Sequence, residues 1–539
     1  VFVKGGHRFM YSFIPSWYEG TGEWHAHITP WYQKAQSYEF DDTVNQLRMF
    51  RDAGEETELL CLAFFPNFRR FLHRQNLYPI AYWSVFDEMQ NITLRTPAVF
   101  SYLELPWPED VEWVYLPSRA VAIRQEQTYA DVEFTEDGTL CWVEYYGKGE
   151  AVRRDLYDDR GFCSSSIFFR DHEKLRQEYY DAQGKLRFTL NCTTGGVQVS
   201  ENARGDFKRQ FYPFPKEMIR EKLETFLMRH PDREAVVIAA NPQHNSLILQ
   251  TLRRLSGQRI VLSFFENRYD LTNRKVLQED AADACLLVTD TEHTARLIEE
   301  AGIRDKNICD ISPFDTRLSL GKSQRIRELK IFMPMDGLEG VFLEKALRQV
   351  FDYMQRNPDV VLLAATGENS QSGLDQLKEK LEEILAEMGL FGQPGWRIAA
   401  PDGEPDGAGR EGSGPEENAD GKARIQITVY HSENDMIRIL YDTRLILDVR
   451  DQPDLYLQIA GISAGIPQVN YRFTRYVKHQ KDGYIIQNIN YITGALEYYL
   501  DGLSGWNEAL VYCVQEISKY TGGTLVKQWK QLIREGGTQ

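Results

Sequence analysis

Aromatic side chains cluster near the beginning of the chain, where they could form a carbohydrate-binding surface. They follow the apolar run Tyr11–Ile14, which predicts a buried strand, and the cluster consists of Trp17, Tyr18, Trp24, Trp31 and Tyr32. In α/β lobes, ligands bind in the crevice outside the carboxyl ends of the strands. Aromatic rings at such a place could stack on sugar faces. The alternative, which we favour, is that these rings pack the first lobe against an inserted β-domain.

A second candidate binding group lies in the loop that follows the predicted strand Ala235–Ala240. His244 in this loop could hydrogen-bond a glycan hydroxyl, and Asn245 lies beside it. The alternative, favoured for an isolated loop histidine, is a solvated side chain. Other patterns are weaker: His25 and His27 have no nearby third metal ligand, and the three serines at 164–166 lie in a predicted hairpin rather than on a nucleophile elbow. We therefore predict neither a metal nor a cofactor.

Composition excludes several classes of protein. The chain has 539 residues, and its 79 Asp plus Glu exceed its 62 Lys plus Arg to give a net charge of −17, so nucleic acid is not an expected partner. Its apolar runs are much shorter than the roughly 18–20 residues of a membrane-spanning helix. Seven dispersed cysteines without a C-x-x-C pair favour free thiols in a reducing compartment. We expect a cytoplasmic protein of three or four folding units.

Strand and helix patterns alternate in two stretches, 10–110 and 215–320, that we assign to one lobe. Phe40–Ala53 has apolar residues at helical spacing and ends before Gly54, whereas Leu59–Phe65 is an apolar run of strand length. Trp83–Met89 is predicted to be helical. Such alternation is typical of a parallel sheet covered by helices.

An internal repeat interrupts this lobe between residues 111 and 214. Gly138, Gly161 and Gly184 are 23 residues apart, and each follows an aromatic residue by four positions. Glycine between alternating strands is typical of a hairpin turn that requires positive φ. The repeat therefore predicts an inserted antiparallel β-sheet domain. This domain either presents a flat face to a partner or only packs against the rest of the chain.

The rest of the chain predicts a second α/β lobe, 321–505, and a helical tail, 506–539. Strands are expected at Leu329–Met333, Asp359–Ala365, Ile425–Tyr430 and Leu445–Val449. The segment 401–422 is rich in Gly, Pro and acidic residues, so we expect a mobile loop. The predicted fold class is α/β, with two Rossmann-type lobes and an antiparallel β-sheet domain inserted in the first.

Two such lobes resemble the GT-B architecture of glycosyltransferases. Gly465 and Pro467 match a G-x-P motif that follows an E-x7-E element in retaining members of that type, and counting back places the two glutamates at Gln452 and Ala460. Both carboxylates are missing, and each charge-assisted hydrogen bond lost is worth roughly 1.5–3 kcal/mol. The stretch Phe332–Gly340 also has no cation where active members carry an Arg and a Lys. The resemblance therefore implies a degenerate glycosyltransferase without catalytic residues.

Long strings near the amino terminus narrow the resemblance. They include Phe13–Tyr18, Thr29–Tyr32, Phe40–Phe50, Arg69–Gln75 and Asp158–Phe162. Together they resemble the first accessory secretory protein of the accessory Sec system of Gram-positive bacteria. The resemblance implies two sister accessory proteins, a SecA-type motor and a glycosylated serine-rich adhesin as partners.

The function that this resemblance implies is escort of the adhesin to its export motor, in the cytoplasm and at the face of the membrane, without sugar transfer. One alternative is an active GT-B glycosyltransferase with relocated catalytic groups. Another is a pure scaffold that contacts the sister proteins and never touches glycan.

Overall fold

The computed structural model describes residues 10–20, 22–28, 30, 40–135, 137–255, 257–303, 307–321, 323–368, 370–399 and 423–536. Trp31, Tyr32 and the segment 401–422 lie outside these ranges. The described chain divides into two compact units, with Phe314–Leu525 as the second. The first unit contains the residues up to Pro313 and those from Val526 onward.

The first unit begins with a β-α-β-α-β-α stretch. Its elements are β1 (Met10–Ile14), α1 (Asp42–Asp52), β2 (Glu56–Cys61), α2 (Phe68–Arg74), β3 (Ala81–Ser84) and α3 (Val85–Gln90). Helix α1 starts where the Asp41 carboxylate accepts hydrogen bonds from the backbone N–H groups of Thr43 and Val44. The helix predicted at Trp83–Met89 was wrong at its start, because Trp83 belongs to β3 and pairs with Leu60 of β2.

The antiparallel insertion is present, and it is a ten-stranded meander in which every strand pairs with its sequence neighbours. The strands are β4 (Glu112–Tyr115), β5 (Arg119–Arg124), β6 (Gln127–Phe134), β7 (Leu140–Gly147), β8 (Glu150–Asp158), β9 (Phe162–Arg170), β10 (Glu173–Tyr180), β11 (Leu186–Asn191), β12 (Val197–Val199) and β13 (Phe211–Tyr212). Gly138, Gly161 and Gly184 occupy alternate turns with φ of 79°, 85° and 78°. The repeat therefore marks the hairpins whose turns need left-handed backbone.

After the insertion the chain returns to the first sheet. The elements are α4 (Pro215–Arg229), β14 (Arg233–Ala239), α5 (Asn245–Leu252), β15 (Ile260–Phe264), α6 (Arg274–Ala281), β16 (Leu286–Thr289), α7 (Glu292–Glu300) and β17 (Asn307–Asp310). The sheet is parallel, with the order β17-β16-β15-β14-β1-β2-β3. Its inner strands are almost completely buried, as expected for a parallel sheet covered by helices, whereas the edge strands β3 and β17 are partly exposed.

A buried ionic network anchors the insertion to the lobe. Arg69 of α2 donates to Asp158 at 3.0 Å and to Asp159 at 2.5 Å, both at the turn between β8 and β9. Arg160 of the same turn binds Asp87 of α3 at 2.7 Å and 2.9 Å. The insertion also shares apolar packing with the lobe, since Tyr179 of β10 belongs to the same buried cluster as the lobe strands.

The second unit contains another parallel sheet. Its elements are β18 (Leu329–Pro334), α8 (Gly340–Arg356), β19 (Val360–Thr366), α9 (Gln371–Glu387), β20 (Ile398–Ala399), β21 (Ile425–Val429), α10 (Glu433–Tyr441), β22 (Thr443–Asp448), α11 (Leu455–Ala464), β23 (Gln468–Asn470), β24 (Gly483–Ile485), α12 (Ile492–Leu500) and α13 (Leu503–Ile517). The strand order is β20-β21-β19-β18-β22-β23-β24. Sequence patterns did not identify α6, α10, α12, β20, β23 or β24.

The last helix, α14 (Gly522–Gly536), packs mainly on the first unit. Trp529 is buried with its ring centroid 5.9 Å from that of Phe50 on α1, and Lys530 pairs with Glu55. A Cβ added to Gly536 would lie 2.3 Å from the carbonyl oxygen of Cys285, so only glycine allows this approach. The predicted helical tail therefore divides between the two units.

Candidate functional site

The carboxyl edge of the sheet in the second unit is the first candidate site, because ligands of α/β lobes bind at such edges. Asp336 follows β18, and its carboxylate accepts hydrogen bonds from the Thr366 hydroxyl at 2.5 Å and from the Gly367 backbone N–H at 2.8 Å. The Tyr430 hydroxyl, at the end of β21, also donates to it at 3.4 Å. The loops after three neighbouring strands are thus joined through one carboxylate.

A second network occupies the loop after β22. Arg450 binds the buried Asp448 carboxylate in a bidentate way, with distances of 2.8 Å and 2.7 Å. Asp448 also accepts from the Asp454 backbone N–H at 2.8 Å, and Asp454 caps α11 by accepting from Leu457 N at 2.9 Å. Burial raises the pKa of Asp454, although Arg450, 3.9 Å away, opposes the rise. The Arg450 guanidinium is therefore already bound to carboxylates of its own loop.

The positions of the missing glutamates lie beside this network. Gln452 is exposed in the loop between β22 and α11, whereas Ala460 lies inside α11 and is 3% exposed. An amide in place of the first carboxylate has no negative charge, and alanine has no hydrogen-bonding side chain. The α11 helix ends at Gly465, whose φ of 70° is the left-handed conformation expected of a helix-terminating glycine.

The carboxyl edge of the sheet in the first unit contains the aromatic candidates. Trp17 is completely buried, and its ring centroid lies 4.9 Å from that of Phe71 and 6.3 Å from that of Phe65. The side chain therefore packs inside the lobe and presents no ring face to a sugar. Trp24 is also buried and belongs to the cluster shared with the insertion, whereas Tyr18 is half-buried.

His244 is completely buried, so the expectation of a solvated loop histidine was wrong. Its Nε2 lies 2.8 Å from the Ala239 carbonyl oxygen, and its Nδ1 lies 2.8 Å from the Tyr18 hydroxyl. Because a carbonyl only accepts, Nε2 carries the proton and Nδ1 accepts from the tyrosine. Burial lowers the pKa of His244 to about 3, which keeps this ring neutral.

Asn245 is also buried and acts within the lobe. Its amide donates to the Asp280 carboxylate at 2.9 Å, and its oxygen accepts from Asn241 N at 3.0 Å. The structure thus brings Tyr18 and His244 together but gives Trp17, His244 and Asn245 internal contacts. Trp31 and Tyr32 lie outside the described residues.

Sequence reasoning missed an ion pair at this edge. Arg268, after β15, binds Asp42 at the start of α1 with distances of 2.7 Å and 3.0 Å, and it also donates to the Ala240 carbonyl at 3.1 Å. Burial, with the charge of Asp42 as the next cause, raises the pKa of Asp41 to about 6. Only their positions in the sequence could have indicated this ion pair: Asp41 and Asp42 begin a helix that follows a strand, and Arg268 follows another strand.

Neither edge provides a recognisable metal centre. No group of three or more His, Cys, Asp or Glu side chains that could hold a metal ion occurs in the described ranges. Within that same part of the chain, none of the helices combines the length and apolar character needed to cross a bilayer.

The chain contains two successive α/β units, each with a parallel sheet, and an antiparallel domain is inserted in the first. This architecture defines a GT-B-like member of the glycosyltransferase fold class. Comparison with known proteins supports this assignment. A crystal structure of the pneumococcal O-GlcNAc transferase GtfA in complex with UDP and GlcNAc superposes with a TM-score of 0.69 over 99% of this chain and 100% of that one, at 11% identity. At that identity the likeness shows the fold alone.

The chain belongs to the family of the accessory Sec system protein Asp-one, also called accessory secretory protein 1, whose family model matches residues 10–536. It is 34% identical over 536 residues to the accessory Sec system protein Asp-one of Streptococcus gordonii, covering 98% of this chain and 99% of the relative. A crystal structure of accessory secretory proteins 1, 2 and 3 of Streptococcus pneumoniae has a TM-score of 0.82 at 30% identity, covering 98% of this chain and 99% of that one. The predicted family and GT-B-like fold are thereby confirmed.

Proposed function

We propose that this protein is a non-catalytic, GT-B-like component of the accessory Sec system that escorts a glycosylated serine-rich adhesin to a SecA-type motor. It works in the cytoplasm, together with two sister accessory proteins, and contacts the membrane only peripherally. Family membership supports the export role, and the structure of the three pneumococcal accessory proteins supports the sister proteins as partners.

The observation that carries the non-catalytic part is the carboxyl edge of the second sheet. In sugar-nucleotide transfer, cations must stabilise the charge that develops on a diphosphate leaving group. Here three carboxylates, Asp336, Asp448 and Asp454, lie at the strand ends, and Arg450 is bound to Asp448. A diphosphate would meet negative charge and would have to break an existing ion pair to gain a cation.

Calorimetric titration with UDP and with UDP-GlcNAc tests this proposal. We expect no binding heat and no release of UDP from the sugar nucleotide over a long incubation. A matched variant, Asp336→Asn, keeps the size of the side chain but removes one negative charge. Binding of UDP by this variant and not by wild type would show that electrostatic repulsion excludes the diphosphate. Turnover by the wild-type protein that is lost in Gln452→Ala would contradict the proposal and support the active transferase.

Client binding is a separate part of the proposal, and Tyr18 is the candidate best suited to test it. Trp17, His244 and Asn245 are buried, so alanine at those positions would disturb the lobe before it could report on a sugar contact. Tyr18→Ala removes a half-buried ring, whereas Tyr18→Phe keeps the ring and removes only the hydroxyl bonded to His244. Trp31→Ala and Tyr32→Ala complete the series.

Retention of a glycosylated serine-rich peptide is the measurement, with the unglycosylated peptide as the reference. We expect weaker retention in Tyr18→Ala and near wild-type retention in Tyr18→Phe. Both variants leave the buried His244 Nδ1 without its donor, so both should unfold at a somewhat lower temperature than wild type. Unchanged retention in Tyr18→Ala, Trp31→Ala and Tyr32→Ala would favour the pure scaffold. Co-purification with the two sister proteins after co-expression tests the scaffold function itself, and its absence would count against both versions.

A further inference from the structure

A cavity of about 520 Å³ lies in the first unit, between the inserted β-sheet domain and the α/β lobe. Its walls are α3 with the segment that follows it, α4, and the segment 205–208 that joins β12 to β13. The volume is in the range of small-molecule sites. None of the strand-end residues described for the two candidate edges lines this cavity, so it is a separate feature of the fold.

The carboxylates that line the cavity already have partners. They are bound as follows: Asp87 by Arg160 at 2.7 Å, Glu88 by Arg229 at 3.5 Å, Asp206 by Arg187, and Glu221 by the Tyr212 hydroxyl at 2.6 Å and by Lys208 N at 2.9 Å. Arginines therefore balance the charges of Asp87, Glu88 and Asp206, whereas Glu221 is held only by neutral donors.

Lys222 of α4 is the cation that the protein does not balance in the same way. Its residue is only 6% exposed, and among the described residues no carboxylate lies within ion-pair distance of its ammonium group. The Nζ donates to the Asp206 carbonyl oxygen and lies 4.1 Å from the centre of the Phe207 ring. An ammonium group has three donors, so a further acceptor can be bound. Burial lowers the pKa of Lys222, although the negative charges of Glu221 and Glu88 act in the opposite direction and raise it.

Three other side chains in the wall also have hydrogen-bond donors that could bind a ligand. Among the described residues, the exposed Arg95 guanidinium donates only to the Tyr82 carbonyl, at 3.5 Å, and it lies 5.0 Å from the centre of the Tyr82 ring. Lys208 is a second exposed cation. Trp83 is 7% exposed, and its buried indole N–H has no acceptor among the described residues. All three groups are hydrogen-bond donors, and together with Lys222 they include three cations.

From this arrangement we infer that the cavity binds a small polyhydroxylated anion, with its acidic group at Lys222 and its hydroxyl groups on the polar wall. Hydroxyls of such a ligand can donate to the outer lone pairs of Glu88 and Glu221, which a purely hydrophobic acid could not use. The acidic group gains a charge-assisted bond from a buried ammonium, the stronger kind of hydrogen bond. Phosphate and carboxylate both satisfy this chemistry, and the site does not depend on the escort function proposed above.

Isothermal titration of the full-length protein with glucose 6-phosphate and with glucuronate tests the inference and distinguishes the two acidic groups. Glucose serves as the neutral reference. We expect one of the anions to bind and glucose to bind much more weakly. Lys222→Met should weaken the anion roughly tenfold to hundredfold, because methionine fills similar space over Phe207 without the charge. Lys216→Met changes an exposed lysine of the same helix outside the cavity, so it should leave binding unchanged.

Arg95→Met provides a second variant at the rim, in case Lys222→Met does not fold, and it should also weaken the anion. Binding of glucose as tightly as either anion would overturn the inference, as would equal anion affinity in wild type, Lys222→Met and Arg95→Met. Absence of binding by both anions at saturating millimolar concentrations would overturn it as well. Tighter binding of the phosphate or of the carboxylate supports the inference and identifies the group that the cavity prefers.

Discussion

Replacing Arg69 by methionine is the sharpest test of how the insertion is held to the first lobe. The Arg69 side chain is 1% exposed and donates to Asp158, to Asp159 and, at 2.9 Å, to the Pro66 carbonyl. Methionine keeps much of the apolar stem and removes all of these donors. Asp159 is then left buried without its guanidinium partner, while Asp158 keeps Arg160 at 2.6 Å.

The magnitude follows from the burial of the network. Removing one partner of a buried ion pair costs about 3–5 kcal/mol, because the remaining charge stays out of water. For a unit of this size the transition of the first unit should fall by roughly 5–10 °C. Burial alone would raise the pKa of Asp158, but Arg69 and Arg160 hold it below its usual value. Its stabilising contribution is therefore present above the ordinary carboxyl pKa and is lost as the pH falls through the lowered one.

Differential scanning calorimetry at neutral pH and again at a pH well below the ordinary carboxyl pKa measures the effect. Arg74→Met, an exposed arginine of the same helix, is the matched control and should change stability little. The double variant Arg69→Met with Asp159→Asn should recover part of the loss, since the orphaned charge is removed. A loss below about 1 kcal/mol in Arg69→Met, or no recovery in the double variant, would refute the view that this network is a buried anchor.

Three further predictions concern the second unit and the last helix. Burial raises the pKa of Asp482 to about 6, so its charge destabilises the fold above that pH and the cost disappears as the pH falls toward the ordinary value. Asp482→Asn should therefore raise stability at pH 7.5 by up to about 3 kcal/mol and leave it unchanged at pH 4, as followed by chemical unfolding at both values; equal effects at both would contradict this. Gly483→Ala should cost about 1–3 kcal/mol in the same assay, because its Cβ would lie 2.3 Å from the Gln468 carbonyl oxygen, whereas Gly494→Ala, on an open helix face, should not. Trp529→Ala should destabilise the first unit by about 3–5 kcal/mol, since its ring is buried against Phe50, and calorimetry should show the lower transition temperature. A change confined to the second unit would contradict the assignment of α14 to the first unit.

Local periodicity was enough to predict most of the fold. The 23-residue spacing of Gly138, Gly161 and Gly184 located three hairpin turns because each turn requires positive φ. Buried parallel strands such as β14 contain short apolar runs, here Ala235–Ala239, whose length favours a strand over a helix. The error at Trp83 has a local cause, since β3 is only four residues long and its last residue, Ser84, is also the N-cap of α3.

The candidate site was harder to predict because its contacts join residues far apart in sequence. Arg268 and Asp42 are 226 positions apart, as are Tyr18 and His244. A sequence shows that a histidine follows a strand, but it does not show that a carbonyl and a tyrosine hydroxyl will enclose both ring nitrogens. The carbohydrate contact considered for Trp17 and His244 rested on residue type and strand-end position, and those two properties fit a buried packing group equally well.

At the strand ends of the second unit, carboxylates of the chain itself occupy donors that an anionic ligand would need. At an edge built to hold a diphosphate, backbone N–H groups and cations must stay available for the anion. Here Gly367 N is bound by Asp336, Asp454 N by Asp448, and the Arg450 guanidinium by Asp448 as well. Each carboxylate takes a place that an anionic ligand would need, and it does so without leaving the chain. The edge therefore holds its loops in place by itself, as the non-catalytic function proposed above requires.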